Sequence, residues 1–291
     1  DELVAMRRRH TAGVLPGQSW YRLAVWGASC HEHMFHVPFE RPQESYRFSV
    51  PGTPAIYLAN SVYLCLLECG QPSFGKCVVS RFEVESSGFD FLDLPCSHRA
   101  YLTPLEILRL PGFQPDPRRI RNSPYLNDVV EELADYLTVW PLLATVSVRK
   151  LDEVPNPPEY IVPQLLMQWV AQQGNLLGIR YFTTKDDPST CLQDWAVNLA
   201  LPSRTTRKTG YCEFLAAHTR FTAPQPLAGM SEMTLDRLVT RPAGDRRQDA
   251  GGRYMLRWPN GRLEHYIGSI FGKMEYWFDR SEIELARIRN A

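Results

Sequence analysis

Glu68 stands in the run VYLCLLEC, residues 62–69, where nearly every neighbour is apolar. A helix that apolar is buried on most sides, and a carboxylate inside it loses hydration at a cost of several kcal/mol unless something pairs with it. Arg47 lies in ESYRFSVPGTP, ten residues before Tyr57 of AIYLA, and Glu68 follows Tyr57 by eleven. The order is loop arginine, strand tyrosine, helix glutamate, and a strand-to-helix turn at 59–61 can bring all three to one cleft. Each residue also has a plainer explanation. Glu68 can point outward or pair structurally with an arginine, Arg47 can be a surface charge, and Tyr57 a core aromatic. The residues alone leave both explanations open.

Other chemistries fail on their own terms. GQPSFGK, residues 70–76, follows the phosphate-loop pattern up to its lysine, but Cys77 stands where Ser or Thr is required. The context is also reversed, with a helix before and a strand after, so backbone N–H groups cannot converge at a helix start. His31, His33 and His36 cluster beside Cys30. They fit no zinc spacing and have no second ligand pair, so no metal is expected. There is no GxSxG, HExxH or GxGxxG, which leaves Ser-His hydrolysis without local support.

The elements that would position the three residues follow from periodicity. WYRLAVW, 20–26, is an apolar strand with Arg22 near its middle, and residues 37–54 read as a proline-rich loop. Ala55 to Ala59 is a short buried strand, Asn60 or Ser61 caps a helix over 62–69, and Gly70, Pro72 and Gly75 end it. Residues 76–84 form a strand, and 102–110 and 126–139 are helical by spacing. A helix begins near Pro158, with Ile161, Leu165 and Trp169 marking its buried face. Residues 178–183, 195–201 and 213–222 read as strands. From about 231 the chain changes character: 241–253 is a linker or loop, and RYMLRW-PNG-RLEHY is a hairpin with Asn260-Gly261 at its turn.

The 291 residues carry 32 basic and 32 acidic side chains, so no global field favours nucleic acid or an anionic membrane. The cluster Arg118, Arg119 and Arg121 is expected to be a solvated loop. Seven cysteines without CxxC spacing fit a reducing compartment, and Cys65 and Cys69 look like small core residues on one helix face. No apolar stretch reaches the ~20 residues a membrane helix needs. Strands and helices alternate without a βαβ rhythm, which points to α+β.

Two blocks decide between the readings left open. Residues 33–72, HMFHVPFERPQESYRFSVPGTPAIYLANSVYLCLLECGQP, resemble the core signature of the RES domain, named for an Arg, a Glu and a Ser. Residues 160–185, YIVPQLLMQWVAQQGNLLGIRYFTTK, resemble its second block, in which a Tyr-x-x-Pro-Gln helix leads to a Gly-Ile-Arg/Lys-Tyr strand ending in the serine. WYRLAV at 20–25 resembles the family's start, where another arginine sits. The resemblance covers roughly residues 20–225 and is to the longer variety. The family serine falls on Thr183, with Thr184 as a second candidate. Threonine keeps the hydroxyl but stiffens χ1.

The resemblance implies an α+β fold like that of ADP-ribosyltransferases, a mixed sheet flanked by helices, with a C-terminal hairpin and helix extension. Together with the polar start and the apolar tail, this gives an entry segment at 1–18, a catalytic domain at 19–230 and an extension at 231–291 packed on the core. The resemblance implies a toxin-type enzyme, acting in the cytoplasm, that cleaves the nicotinamide–ribose bond of NAD by phosphorolysis or hydrolysis. The alternatives it carries are ADP-ribosyl transfer to a macromolecule and a non-catalytic NAD-binding module. Glu68, Arg47, Tyr57 and Thr183 would form the catalytic set, and Arg22, Arg47, Tyr57 and Thr183 would bind NAD. NAD is substrate, with no tightly bound cofactor expected. The partners implied are inorganic phosphate and an antitoxin or immunity protein, without membrane or specific nucleic acid.

Overall fold

The strand SWYRLAV forms because it buries apolar residues on both faces, Trp20 on one and Tyr21 and Leu23 on the other, and it pairs along seven residues with its neighbour CVVSRFEV. The computed structural model describes residues 11–12, 18–25, 30–41, 44–94, 140–149, 157–185, 197–205, 207–229, 255–257 and 263–288. The expected helices at 102–110 and 126–139, the Arg118–Arg121 cluster, Cys96, Cys191, the linker at 241–253, the Asn260-Gly261 turn and most of the entry segment lie outside the described residues.

Among the described residues nine strands make one mixed sheet. They are β1 (Thr11–Ala12), β2 (Ser19–Val25), β3 (Ala55–Ala59), β4 (Cys77–Val84), β5 (Asp90–Asp93), β6 (Leu176–Phe182), β7 (Val197–Pro202), β8 (Thr219–Phe221) and β9 (Gln225–Pro226). The order is β1-β5-β6-β7-β3-β2-β4-β8, with β9 also on β4, and β5–β6 is the parallel pair. β10 (Met255–Arg257) and β11 (Leu263–His265) pair antiparallel as the expected hairpin. The helices are α1 (Val62–Glu68), α2 (residues 140–146), α3 (Ile161–Gln172), α4 (Glu213–His218) and α5 (Ile270–Arg280). This is a mixed α+β architecture with a central sheet flanked by helices.

Three apolar clusters hold it together. One gathers Trp20, Ile56, Leu58, Phe82 and Leu199 with Phe35, Leu215 and Phe221. The second joins β2 and β4 to α1 and α5 through Tyr21, Val79, Leu64, Phe271 and Phe278. The third packs α2 and α3 on β5–β7 through Leu143, Leu166, Val170, Leu92 and Ile179. Burial of apolar surface on this scale, at about 25 cal/mol per Å², is the main force that fixes the helices on the sheet.

Two expectations are corrected. Residues 213–222 do not form one strand: Glu213–His218 is a helical turn and a half, and only Thr219–Phe221 pairs with β4. The run EFLAAH contains good helix formers, and the β-leaning residues follow it. In α3 the buried face is Pro163, Leu166, Met167 and Val170, whereas Ile161 and Leu165 are 56% and 58% exposed. Apolar residues surround this helix, so two rows satisfy helical spacing, and the sheet covers the second. Among the described residues no helix is long and apolar enough to cross a membrane.

Candidate active site

The sheet is weakest where the site forms. β3 pairs with β7 along five residues, but with β2 only at Tyr21↔Ala59. Beyond that contact the two strands part. Arg22 and Leu23 on one side, and Leu58 and Tyr57 on the other, line a cavity of about 520 Å³. That volume suits a small-molecule ligand, whose pockets span about 300–1,000 Å³. The loop carrying Arg47, the end of α1 and the ends of β6 and β7 complete the wall.

Arg22 is the most unusual group in it. Its Nη1 is buried and has no hydrogen-bond partner. Burial lowers the pKa of its guanidinium, against the opposing pull of Cys69, Cys65, Tyr46 and Tyr57. A buried cation left short of partners is costly, and a bound anion at this wall would relieve that cost.

Glu68 enters from the other side. It is half-buried at the end of α1 rather than enclosed within it, because the cavity opens beside the last turn. Its Oε1 accepts a hydrogen bond of 2.7 Å from Asn198 Nδ2. The pairing partner is therefore an amide and not an arginine, and the rest of the carboxylate faces the cavity. α1 is built to hold this end still. Ser61 caps its start by accepting from Leu64 N. At the other end Gly70, at φ +76°, and Gln71, at φ +55°, close it with bonds to Leu67 O and Leu66 O.

Arg47 reaches the cavity but is largely committed. Its Nη1 donates to Val146 O at 2.8 Å and Val148 O at 2.9 Å, and its Nη2 to Thr184 Oγ1 at 3.1 Å. The guanidinium lies 5.2 Å from the Tyr160 ring centre. It thus ties the end of α2 to the end of β6 and leaves few N–H groups for a ligand. The Tyr57 hydroxyl accepts from Phe48 N at 3.1 Å and bonds Ser49 Oγ at 3.0 Å, so it fixes the loop immediately after Arg47. Burial pushes its pKa well up, only partly offset by these two bonds. Gln164 secures the same loop from α3, with Nε2 donating to Ser45 Oγ at 2.8 Å and Tyr46 O at 3.0 Å.

Arg22, Arg47, Tyr57 and Glu68 are therefore brought together, and Thr183 is not. Thr183 is 2% exposed, its Oγ1 accepts from Lys185 N at 3.0 Å, and it does not line the cavity. The chain has left β6 at this point, and it is the neighbouring hydroxyl, that of Thr184, that lines the wall and accepts from Arg47. Asn198, Lys185 and Tyr181 are among the lining residues that the sequence reading did not single out. Asn198 had a legible signal, a lone polar residue in the fully buried strand VNLALP. Lys185 and Tyr181 had none. Burial holds the Tyr181 hydroxyl well above its usual pKa, and the nearby Glu68 raises it further.

His31 and His36 are structural, whereas His33 is exposed. His36 Nδ1 donates to Val37 O at 2.7 Å, and its Nε2 accepts from Cys212 N at 2.9 Å. His31 stacks on Phe221 with ring centres 3.8 Å apart. Among the described residues no His, Cys, Asp and Glu group is arranged to hold a metal ion. Cys65 is buried with Sγ 3.2 Å from Tyr21 O, whereas Cys69 is exposed, so the expected core pair holds for Cys65 alone.

Comparison with known proteins adds to this geometry. The model of the RES domain matches residues 20–222. A curated relative, "Putative toxin YopC" of Bacillus subtilis (strain 168), is 29% identical over 201 residues. The match takes in 66% of this chain and 42% of that protein, so the chain spans about two fifths of the length of this relative. A solved structure, the MbcT-MbcA toxin-antitoxin complex of M. tuberculosis, shares 14% identity and a TM-score of 0.28 over 72% of this chain and 88% of that one.

Proposed function

The chain belongs to the RES domain family, and from that premise we propose that it degrades NAD by breaking the bond between nicotinamide and ribose. One observation carries the proposal: a guanidinium with a buried, unpartnered nitrogen, Arg22, and a carboxylate held on one oxygen, Glu68, face the same cavity. A dinucleotide has what each of them lacks. Its pyrophosphate suits Arg22 through charge-assisted hydrogen bonds. Its ribose, placed at Glu68, develops positive charge as the bond to nicotinamide lengthens, and the carboxylate stabilises that charge.

The chemistry asks little more of the protein. In NAD the nicotinamide nitrogen carries the positive charge, so nicotinamide leaves with the bonding electrons as a neutral molecule and needs no proton. One carboxylate suffices where ordinary glycosides need two. Asn198 holds the carboxylate at a fixed place, and positioning of this kind is a large part of catalysis. Arg47, with most of its N–H groups committed, shapes the wall more than it binds, and Thr184 supplies the hydroxyl assigned by resemblance to Thr183. Attack on the ribose by water gives ADP-ribose and a proton. Attack by inorganic phosphate gives ADP-ribose phosphate. Loss of NAD from a cell would make such an enzyme a toxin, in keeping with the name given to the Bacillus relative, and a toxin of this kind needs a neutralising protein partner.

Incubation with NAD, with and without phosphate, followed by mass analysis of the products, tests the proposal. Free nicotinamide with ADP-ribose or its phosphate is the expected result. Label from NAD found only in protein or nucleic acid would instead make the chain a transferase, and NAD left intact under every condition would remove the enzymatic assignment.

A further inference from the structure

Helix α1 is seven residues long, and Glu68 is its last residue. Both facts work against it. A helix this short has no independent stability, and the partial negative charge at a helix C-terminus repels a carboxylate placed there. Something outside the helix must set its position.

That support comes from residues beyond the family match at 20–222. In α5, Glu275 Oε1 accepts from the backbone N–H of Val62, the first residue of α1, at 2.7 Å. The same oxygen accepts from Tyr266 Oη at 2.6 Å. With Tyr63 N donating to Tyr266 Oη at 3.5 Å and Ser61 accepting from Leu64 N, three of the four N–H groups that a helix start leaves open are satisfied. The negative charge of Glu275 also lies at the favourable end of the helix dipole. The contact is held in register by packing. Phe271 meets Tyr63 with ring centres 5.2 Å apart and Phe74 at 5.6 Å. α5 is itself anchored to the sheet, since Arg81 Nη1 donates to Phe278 O at 3.1 Å and Ser19 Oγ donates to Asp279 Oδ1 at 3.1 Å.

We infer that Glu275 is a positioning residue for the site: it fixes the start of α1 and thereby the place of Glu68 in the cavity. The C-terminal extension is then a working part of this enzyme rather than an appendage. The inference rests on the role given to Glu68 above. Glu275 touches no ligand in this scheme, so its loss acts on the reaction step and not on NAD binding through Arg22.

The test uses the full chain with Glu275→Ala and Glu275→Gln. Glutamine keeps an oxygen that can accept from both Val62 N and Tyr266 Oη, whereas alanine keeps none. For Glu275→Ala, kcat for NAD loss should fall about tenfold or more, as expected when a reacting group moves by a fraction of an ångström to an ångström, with KM within about twofold. Glu275→Gln should recover most of kcat. Hydrogen exchange, which needs no activity, should show faster exchange at residues 62–68 in Glu275→Ala and unchanged exchange in β6 and β7. Equal kcat in wild type and Glu275→Ala overturns the inference, and so does a Glu275→Gln variant as impaired as alanine. Wild-type protein that leaves NAD intact overturns the enzymatic proposal instead, and the two failures are thereby distinct.

Discussion

His36 offers a quantitative test of how the first cluster and the Arg22 wall are held. The imidazole is 1% exposed, and burial lowers its pKa to about 4, with the nearby Arg22 pushing the same way against the Val37 carbonyl bond. Protonation would also destroy the acceptor that Nε2 presents to Cys212 N. The unfolded chain takes up this proton near the ordinary value of 6.5, and the folded chain only near 4. Between those limits the unfolded state binds more protons, so the contribution is complete above about pH 6.5, falls as the pH drops, and is gone below about pH 4. Each tenfold difference in proton affinity between the two states is worth about 1.4 kcal/mol, so His36 alone should cost the wild type roughly 2 kcal/mol between about pH 7.5 and about pH 5. The assay is urea unfolding at both pH values for wild type and His36→Gln, which cannot titrate. Carboxylates elsewhere act on both proteins alike, so the difference isolates the imidazole. Identical pH dependence in the two proteins would show that His36 is not a buried neutral acceptor.

Two further substitutions separate stability from function. Arg22→Met removes a buried cation whose Nη1 has no partner, so it should raise the urea midpoint by the equivalent of about 1–3 kcal/mol while NAD affinity by calorimetry falls at least tenfold; a lowered midpoint with full affinity would remove Arg22 from the ligand wall. Gly272→Ala would place a Cβ 2.3 Å from Tyr266 O and 2.6 Å from Ile267 Cα, backbone atoms that cannot yield. It should cost about 1–3 kcal/mol in thermal unfolding, and an unchanged melting temperature would contradict the packing of α5.

Much of this was legible in the chain. The strand-turn-helix at 55–69 follows from AIYLA, a Ser cap and an apolar run, and the cap proved to be Ser61 rather than Asn60. That Arg47, Tyr57 and Glu68 share one cavity was legible because loop, strand and helix adjoin in sequence. What depends on distant partners was not. Asn198 meets Glu68 across 130 residues, and Glu275 meets Val62 across 213, and no local pattern encodes either contact. The shift of the exposed hydroxyl from Thr183 to Thr184 depends on where strand β6 ends, a boundary that propensity fixes only to within a residue or two. The buried face of α3 was misassigned because sheet contact, not apolarity, selects among its rows. The division of labour between the arginines was equally hidden. Arg47 looked free because its acceptors, Val146 O and Val148 O, lie about a hundred residues away.

Glu68→Gln bears on all of this at once. Glutamine has the same shape, and its amide oxygen can still accept from Asn198 Nδ2, so folding and NAD affinity should hardly change. With the negative charge gone, nothing at that wall stabilises a positively charged ribose, and nicotinamide release followed by mass should drop at least a hundredfold. Release at the wild-type rate from a well-folded Glu68→Gln protein would contradict the carboxylate's assigned part.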